Sequence, residues 1–197
     1  FDIYPHISLN RDIINNDESV DVGAEIFWKP TKNQQISATF NPDFGQVETD
    51  ELVVNFSAIE SFFTEKRPFF NENQSIFDVS GPETLRIVHT PRIGGDAYYD
   101  DDYTSDLDAA FKYTFDNDNL ALGLMSAFES SLDKNSTGRD FWLMRGQYYL
   151  GENKLGISLN NVSTPSVERE AQILSTDFVY TFSDSTEFNI GVINSKV

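Results

Sequence analysis

Strict period-two alternation constrains this chain more than any other feature. Val20, Val22, Ala24, Ile26 and Trp28 alternate with Asp21, Gly23, Glu25, Phe27 and Lys29, and Ile36, Ala38 and Phe40 with Gln35, Ser37 and Thr39. Successive side chains of a β-strand leave opposite faces, so each run predicts a strand with one apolar and one polar side. Leu107, Ala109, Phe111, Tyr113 and Phe115 alternate with Asp108, Ala110, Lys112 and Thr114, and Leu120, Leu122 and Leu124 lie opposite Ala121, Gly123 and Met125. Trp142, Met144, Tyr148 and Leu150 face away from Arg145 and Gln147; Leu155, Ile157 and Leu159 face away from Lys154, Ser158 and Asn160. Leu174, Phe178, Tyr180 and Phe182 oppose Ser175, Asp177 and Thr181, while Phe188, Ile190 and Val192 oppose Glu187 and Asn189. No Asp, Glu, Lys or Arg stands on any of these apolar faces.

The connections alternate too. Short turns are expected at 30–33, 116–119, 151–153 and 183–186, and longer polar loops at 10–18, 96–106, 129–138 and 163–170. In an up-and-down meander this puts every short turn at one end and every long loop at the other, as in outer-membrane barrels. Phe27, Trp28, Phe115, Tyr148, Tyr149, Tyr180 and Phe182 flank the short turns, and Phe128, Phe141 and Trp142 lie toward the long loops. Two interfacial aromatic rings would be placed this way. Strand lengths approach the roughly 9–11 residues of a tilted spanning strand. A soluble sandwich also alternates, because one face of each sheet is buried. It would set the Leu107–Phe115 face against a second sheet. Loop asymmetry and aromatic placement favour an all-β, antiparallel up-and-down transmembrane β-barrel, partial in this chain. Asp108, Lys112, Arg145, Lys154, Asp177 and Glu187 would then line a wet lumen.

Charge narrows the partners. Against 14 Lys plus Arg stand 32 Asp plus Glu, a formal net charge of -18. Nucleic acid needs a basic footprint and is excluded as a partner, and charge alone would not recruit the chain to an anionic membrane face. With no cysteine there is no disulfide framework, thiol nucleophile or thiolate metal site. No apolar run approaches the roughly 18 residues of a spanning helix. The chain starts at Phe1 and ends at Val197, each within a strand-like segment, and reads as a mature or trimmed piece of something longer.

Residues 41–94 break the alternation, with a helix-like stretch near 57–63, and divide the chain into first strands (1–40), an insert (41–94) and later hairpins with acidic outer loops (95–197). The insert carries Asn41-Pro42-Asp43-Phe44-Gly45-Gln46-Val47-Glu48-Thr49-Asp50, then Glu65-Lys66-Arg67-Pro68-Phe69-Phe70, then Pro91-Arg92-Ile93-Gly94. In this order the motifs resemble those of a family of large Gram-negative outer-membrane proteins whose membrane domain is labelled a domain of unknown function. Members of that family place a domain like carbohydrate-binding module family 9 before a C-terminal barrel. The resemblance implies an outer-membrane location and a barrel fold. His89-Thr90-Pro91-Arg92 departs from the family's Tyr-Ser-Arg-Arg, so one family arginine is missing.

Asn41, Asp43, Gly45, Gln46, Glu48, Asp50, Glu60 and Glu65 lie close in sequence to Lys66, Arg67 and Arg92. Carboxylate–guanidinium pairing among them would hold the insert as a plug or inner-wall segment; a solute or ion constriction is the functional alternative. Asp100, Asp102 and Asp106 sit in an acidic loop with Asp96, Asp101 and Asp108, and oxygen-rich loops can hold Ca2+, although the EF-hand order is not met. No cofactor is otherwise expected. Paired carboxylates could serve glycoside hydrolysis, but no spacing sets their separation, and no nucleophile elbow is present. The expected role is non-enzymatic passage or capture of a solute, glycan-related if the family's N-terminal domain, which this sequence does not include, binds carbohydrate. A structural anchor in an outer-membrane complex and a membrane-associated hydrolase are the alternatives. The expected surroundings are outer-membrane lipid, lipopolysaccharide and protein partners.

Overall fold

The computed structural model describes residues 1–12, 17–42, 65–79, 87, 89–94, 96–97, 100–104, 106–130, 138–165, 168–183 and 186–197. The alternating runs become β1 (Asp2–Asp12), β2 (Asp17–Thr31) and β3 (Gln34–Phe40), then β6 (Leu107–Asp116), β7 (Leu120–Glu129), β8 (Asp140–Leu150), β9 (Asn153–Thr164), β10 (Arg169–Ser183) and β11 (Thr186–Lys196). These nine strands form one antiparallel sheet in the order β1-β2-β3-β6-β7-β8-β9-β10-β11. A separate two-stranded ribbon pairs β4 (Asp96–Ala97) with β5 (Asp100–Thr104). The fold is all-β and antiparallel. Its described helical pieces are one turn at Pro68–Asn71 and two 3-10 turns, Gln74–Ile76 and Thr90–Arg92. The helix-like stretch at 57–63 lies outside the described residues.

Local chemistry makes the short turns. Gly151 takes a left-handed φ of 63° between β8 and β9, a conformation glycine adopts without steric cost. Asn117 Oδ1 accepts the backbone N–H groups of Asn119 and Leu120 at 2.9 and 2.8 Å, an Asx turn joining β6 to β7.

Burial runs opposite to that of a soluble sheet. Ile157 is 55% exposed and Met144 50%, whereas the residues next to them on the other face, Ser158 and Arg145, are each 3% exposed. Leu122, Leu124, Met144, Leu155, Leu159 and Leu174 share the exposed side. Gln35, Ser37, Thr39, Lys112, Thr114, Gln147, Ser175 and Asp177 are buried on the other. The buried face also has an apolar centre, where Phe69, Phe70, Ile76, Phe77 and Ile93 of the segment preceding β4 pack on Ala110, Ala121, Met125, Ala127, Phe141 and Leu143. Small alanines on the sheet leave room for phenylalanines on the segment.

Several expectations are corrected. The loops expected at 10–18 and 163–170 are shortened from both sides by strand: Asp12 pairs with Asp17, and Thr164 with Arg169. There the strand residues are polar at successive positions in the sequence, so alternation fails before the ladder does. The loop at 96–106 carries the β4–β5 ribbon. A register shift between Leu107 and Ala109 inverts the start of β6, because one extra residue in a strand flips everything before it to the other face. Leu107 is therefore buried, and Asp108, expected to line a lumen, is exposed. Glu187 is exposed as well, on a last strand whose residues are uncovered on both faces. Phe27 and Tyr149 leave the face opposite to Trp28 and Tyr148, since adjacent residues alternate. Phe141 is buried inside, while Phe128 and Trp142 meet edge-on at 5.6 Å on the outside.

Candidate functional site

The buried face of the sheet and the segment 65–94 together form the candidate site. Arg67 is its centre. It grips Glu65 with two side-chain hydrogen bonds, Nε to Oε1 and Nη2 to Oε2, each 2.8 Å, and its backbone N–H donates to the same carboxylate at 3.0 Å. Nη1 donates to the Ile93 carbonyl at 2.5 Å, Nη2 to the Thr90 carbonyl at 2.6 Å, and the guanidinium lies 4.2 Å above the Phe70 ring. One side chain thus ties the Glu65–Phe70 motif to the Pro91–Gly94 motif. Burial alone would raise the Glu65 carboxyl, but the hydrogen bonds and charge of Arg67 outweigh it and hold the group below the ordinary carboxylate value.

A second clamp fastens the segment to the β7–β8 hairpin. Glu129, at the end of β7, accepts the Gly94 N–H at 2.8 Å. Arg139 donates to Glu129 through its backbone N–H at 3.0 Å, Nε at 2.9 Å and Nη2 at 3.0 Å, and reaches the Arg92 carbonyl at 2.9 Å.

The sheet satisfies the segment's backbone with its own polar side chains. Lys112 Nζ donates to the carbonyls of Phe69 and, at 2.6 Å, Glu72. Gln147 Nε2 donates to the Ile76 carbonyl at 3.0 Å, and Tyr149 donates to Gln147 Oε1 at 2.8 Å. Asn73 Nδ2 donates to Thr114 Oγ1 at 3.0 Å and Gln35 Oε1 at 3.2 Å. A carbonyl buried without a donor would cost on the order of 1–3 kcal/mol, so this polar face suits a segment whose described residues form no strand ladder. Gly123 is the matching gap: a Cβ there would lie 2.7 Å from Phe77 Cζ.

Beyond the segment, Arg145 on β8 spans β9 to Asp177 on β10, Nη1 to Oδ1 at 2.5 Å and Nη2 to Oδ2 at 2.9 Å, with both side chains almost fully buried. The pair passes over Gly156, where a Cβ would come 2.5 Å from Asp177 Oδ1. Beside it Ser158 and Ser175 share a hydrogen bond of 2.5 Å. Arg145 Nε and Asn160 Nδ2, two buried donors on this face, have no hydrogen-bond partner among the described residues.

The expected site residues therefore separate. Glu65, Arg67, Lys112, Arg145 and Asp177 are buried and paired. Lys154 is half-buried at the rim, and Lys66 and Arg92 are exposed, Arg92 contributing its carbonyl. Asn41 leaves the sheet rather than joining a charge network: at a φ of 43° it receives His6 Nε2 on its carbonyl at 3.0 Å and donates Nδ2 to the Val22 carbonyl at 3.0 Å. Asp43, Gly45, Gln46, Glu48, Asp50 and Glu60 lie outside the described residues, as do the side chains of Asp100 and Asp102. Asp106 is exposed; partial burial and the neighbouring carboxylates Asp21 and Asp108 raise its carboxyl. Among the described residues no three His, Cys, Asp or Glu gather as a metal site. Sequence reasoning missed Glu129 and Arg139, whose only signal is opposite charge at the two ends of one hairpin loop.

One protein-family model, described as a domain of unknown function, matches residues 1–127. That span takes in β1–β3, the segment and most of the β6–β7 hairpin. No curated protein and no solved structure matches the chain.

Proposed function

The chain belongs to the DUF5916 family, a domain of unknown function, and we propose from its geometry that it forms part of a β-barrel wall in the bacterial outer membrane, serving passage or capture of a polar solute. The reversed burial carries this reading. Leu122, Leu124, Met144, Leu155, Ile157 and Leu159 form an exposed apolar face across β7–β9; contiguous apolar surface of this kind marks an interaction face, and lipid is the solvent that suits it. Trp28, Tyr148, Tyr180 and Phe182 stand outward toward the short-turn end, and Trp142 with Phe128 toward the other. Aromatic residues are enriched at those two depths in membrane barrels.

The opposite face would line the interior. There the described residues of the 65–94 segment pack over β3 and β6–β8, and the β8–β10 side carries hydroxyls, amides and the donors of Arg145 and Asn160 that have no partner among the described residues. Such groups exchange hydrogen bonds with water for hydrogen bonds with a polar solute. A structural anchor is the second reading, favoured by how completely Arg67, Glu129 and Lys112 tether the segment. Planar-bilayer conductance of folded, inserted protein separates them. Passage predicts that deleting residues 41–94 raises conductance; silence with and without those residues sinks passage and leaves anchoring.

A further inference from the structure

Where Lys112, Gln147 and Arg139 donate to the 65–94 segment, the acceptor is a main-chain carbonyl each time. Lys112 reaches Phe69 and Glu72, Gln147 reaches Ile76, and Arg139 reaches Arg92. The inner wall thus holds amide oxygens with side-chain donors. The row of donors does not stop at Gln147. Arg145 is the next inward residue on β8, and Asn160 stands on β9 opposite Leu143. That register makes the two diagonal neighbours on one face, about 7–8 Å apart between backbones. Arg145 is 3% exposed and Asn160 6%, yet Arg145 Nε and Asn160 Nδ2 have no hydrogen-bond partner among the described residues. Buried polar groups left in this way are uncommon and costly, and on β8–β9 both are donors.

Charge and proton count define what fits them. The charge of Arg145 is already matched by Asp177, whose two oxygens take Nη1 and Nη2. Of the hydroxyl protons of Ser158 and Ser175, one is spent within their own pair. An Nε–H and an amide NH2 remain, and both can only donate, so they suit no cation. An anion meets like charge first: Glu18, Asp106, Glu168 and Glu170 are exposed at the long-loop end, in a chain of formal charge -18. We infer that Asn160 and Arg145 take the carbonyl oxygens of an uncharged, amide-bearing solute, doing for a ligand what Gln147 and Lys112 do for the segment. This names the solute class of the passage-or-capture reading above and rests on that reading.

The sample is the full chain, labelled with nitrogen-15, in lipid nanodiscs. Four small probes are titrated into it: malonamide, malonate, protonated propylamine and glycerol. Arg145→Lys and Asn160→Leu assign the Nε–H and Nδ2 signals by their disappearance. The expected result is a saturable shift of both signals with malonamide, at a dissociation constant at least about tenfold below that of each other probe. Malonate, propylamine or glycerol binding as tightly overturns the inference, as does malonamide without a saturable shift. Asn160→Leu and Asn160→Asp each remove the amide donor and should weaken malonamide by a similar factor. Either variant binding malonamide as the native chain does, with its β8–β10 amide signals in place, also overturns the inference. Trp28 and Trp142 both stand outward, so their quenching by brominated lipid in the same nanodiscs tests the wall separately. Quenching without malonamide binding overturns only the inference. No quenching, with or without binding, removes the lipid-facing wall on which the inference rests.

Discussion

Arg145 and Asp177 show what one residue can decide here. Their bidentate pair is buried on both sides, so neutralising one partner strands the other charge. Asp177→Asn is expected to cost about 3–5 kcal/mol, read as a lower denaturant midpoint, and replacing both with Arg145→Met and Asp177→Leu to restore most of it. Glu65 makes a pH-dependent counterpart. Its folded carboxyl lies below the ordinary value, so its contribution is full above about pH 4.5, the unfolded value, and fades as pH falls through the lower folded one. Protection of the Arg67 and Phe70 amides, relative to their intrinsic exchange at each pH, should fall over that acid range in the native chain, and should be low already at neutral pH in Glu65→Gln. The face on which Lys112, Arg145 and Asp177 stand was legible, because period two assigns a face without further knowledge. Glu129 and Arg139 were not: their meeting depends on a hairpin end bringing two loop margins together, which no local pattern encodes.

At the scale of elements, docking of the segment rests on complementary sizes. Phe77 occupies the space Gly123 leaves on β7. Gly123→Val should expel the 3-10 turn at Gln74–Ile76, seen as faster exchange of those amides while β7 and β8 keep their protection. An unchanged turn would show that Phe77 repacks without cost. Strand identity and face were legible over most of the sheet. Strand ends were not, since 10–12, 17–18, 163–164 and 169–170 are polar at successive positions and show no alternation where the strands continue. Asp108 was misplaced for a sharper reason: a single bulge reverses parity, and neither Leu107 nor Ala109 announces it. The motifs around Arg67 and Ile93 drew notice as unusual sequence, yet their joining through two carbonyls needed coordinates.

For the whole molecule, the two faces of the sheet should respond oppositely to charge. Ile157→Arg places a cation on the outward face and is expected to cost about 2–4 kcal/mol of stability in lipid if that site lies near the midplane, measured by urea titration in liposomes. Equal stability would count against a lipid-facing wall. Another consequence belongs to the seam between β3 and β6. Gln34 lies opposite Phe115 and Phe40 opposite Ala109, although all of residues 41–106 intervene. Every other seam joins strands adjacent in the chain. Contacts across long intervals pay their loop-closure entropy before any reward arrives, so time enters the architecture here. β1–β3 and β6–β11 can each assemble by local pairing, and their union comes last. Refolding followed by pulsed deuterium labelling should record it as late protection of Ile36–Thr39: the molecule is stitched from two halves, with the segment between them as the thread.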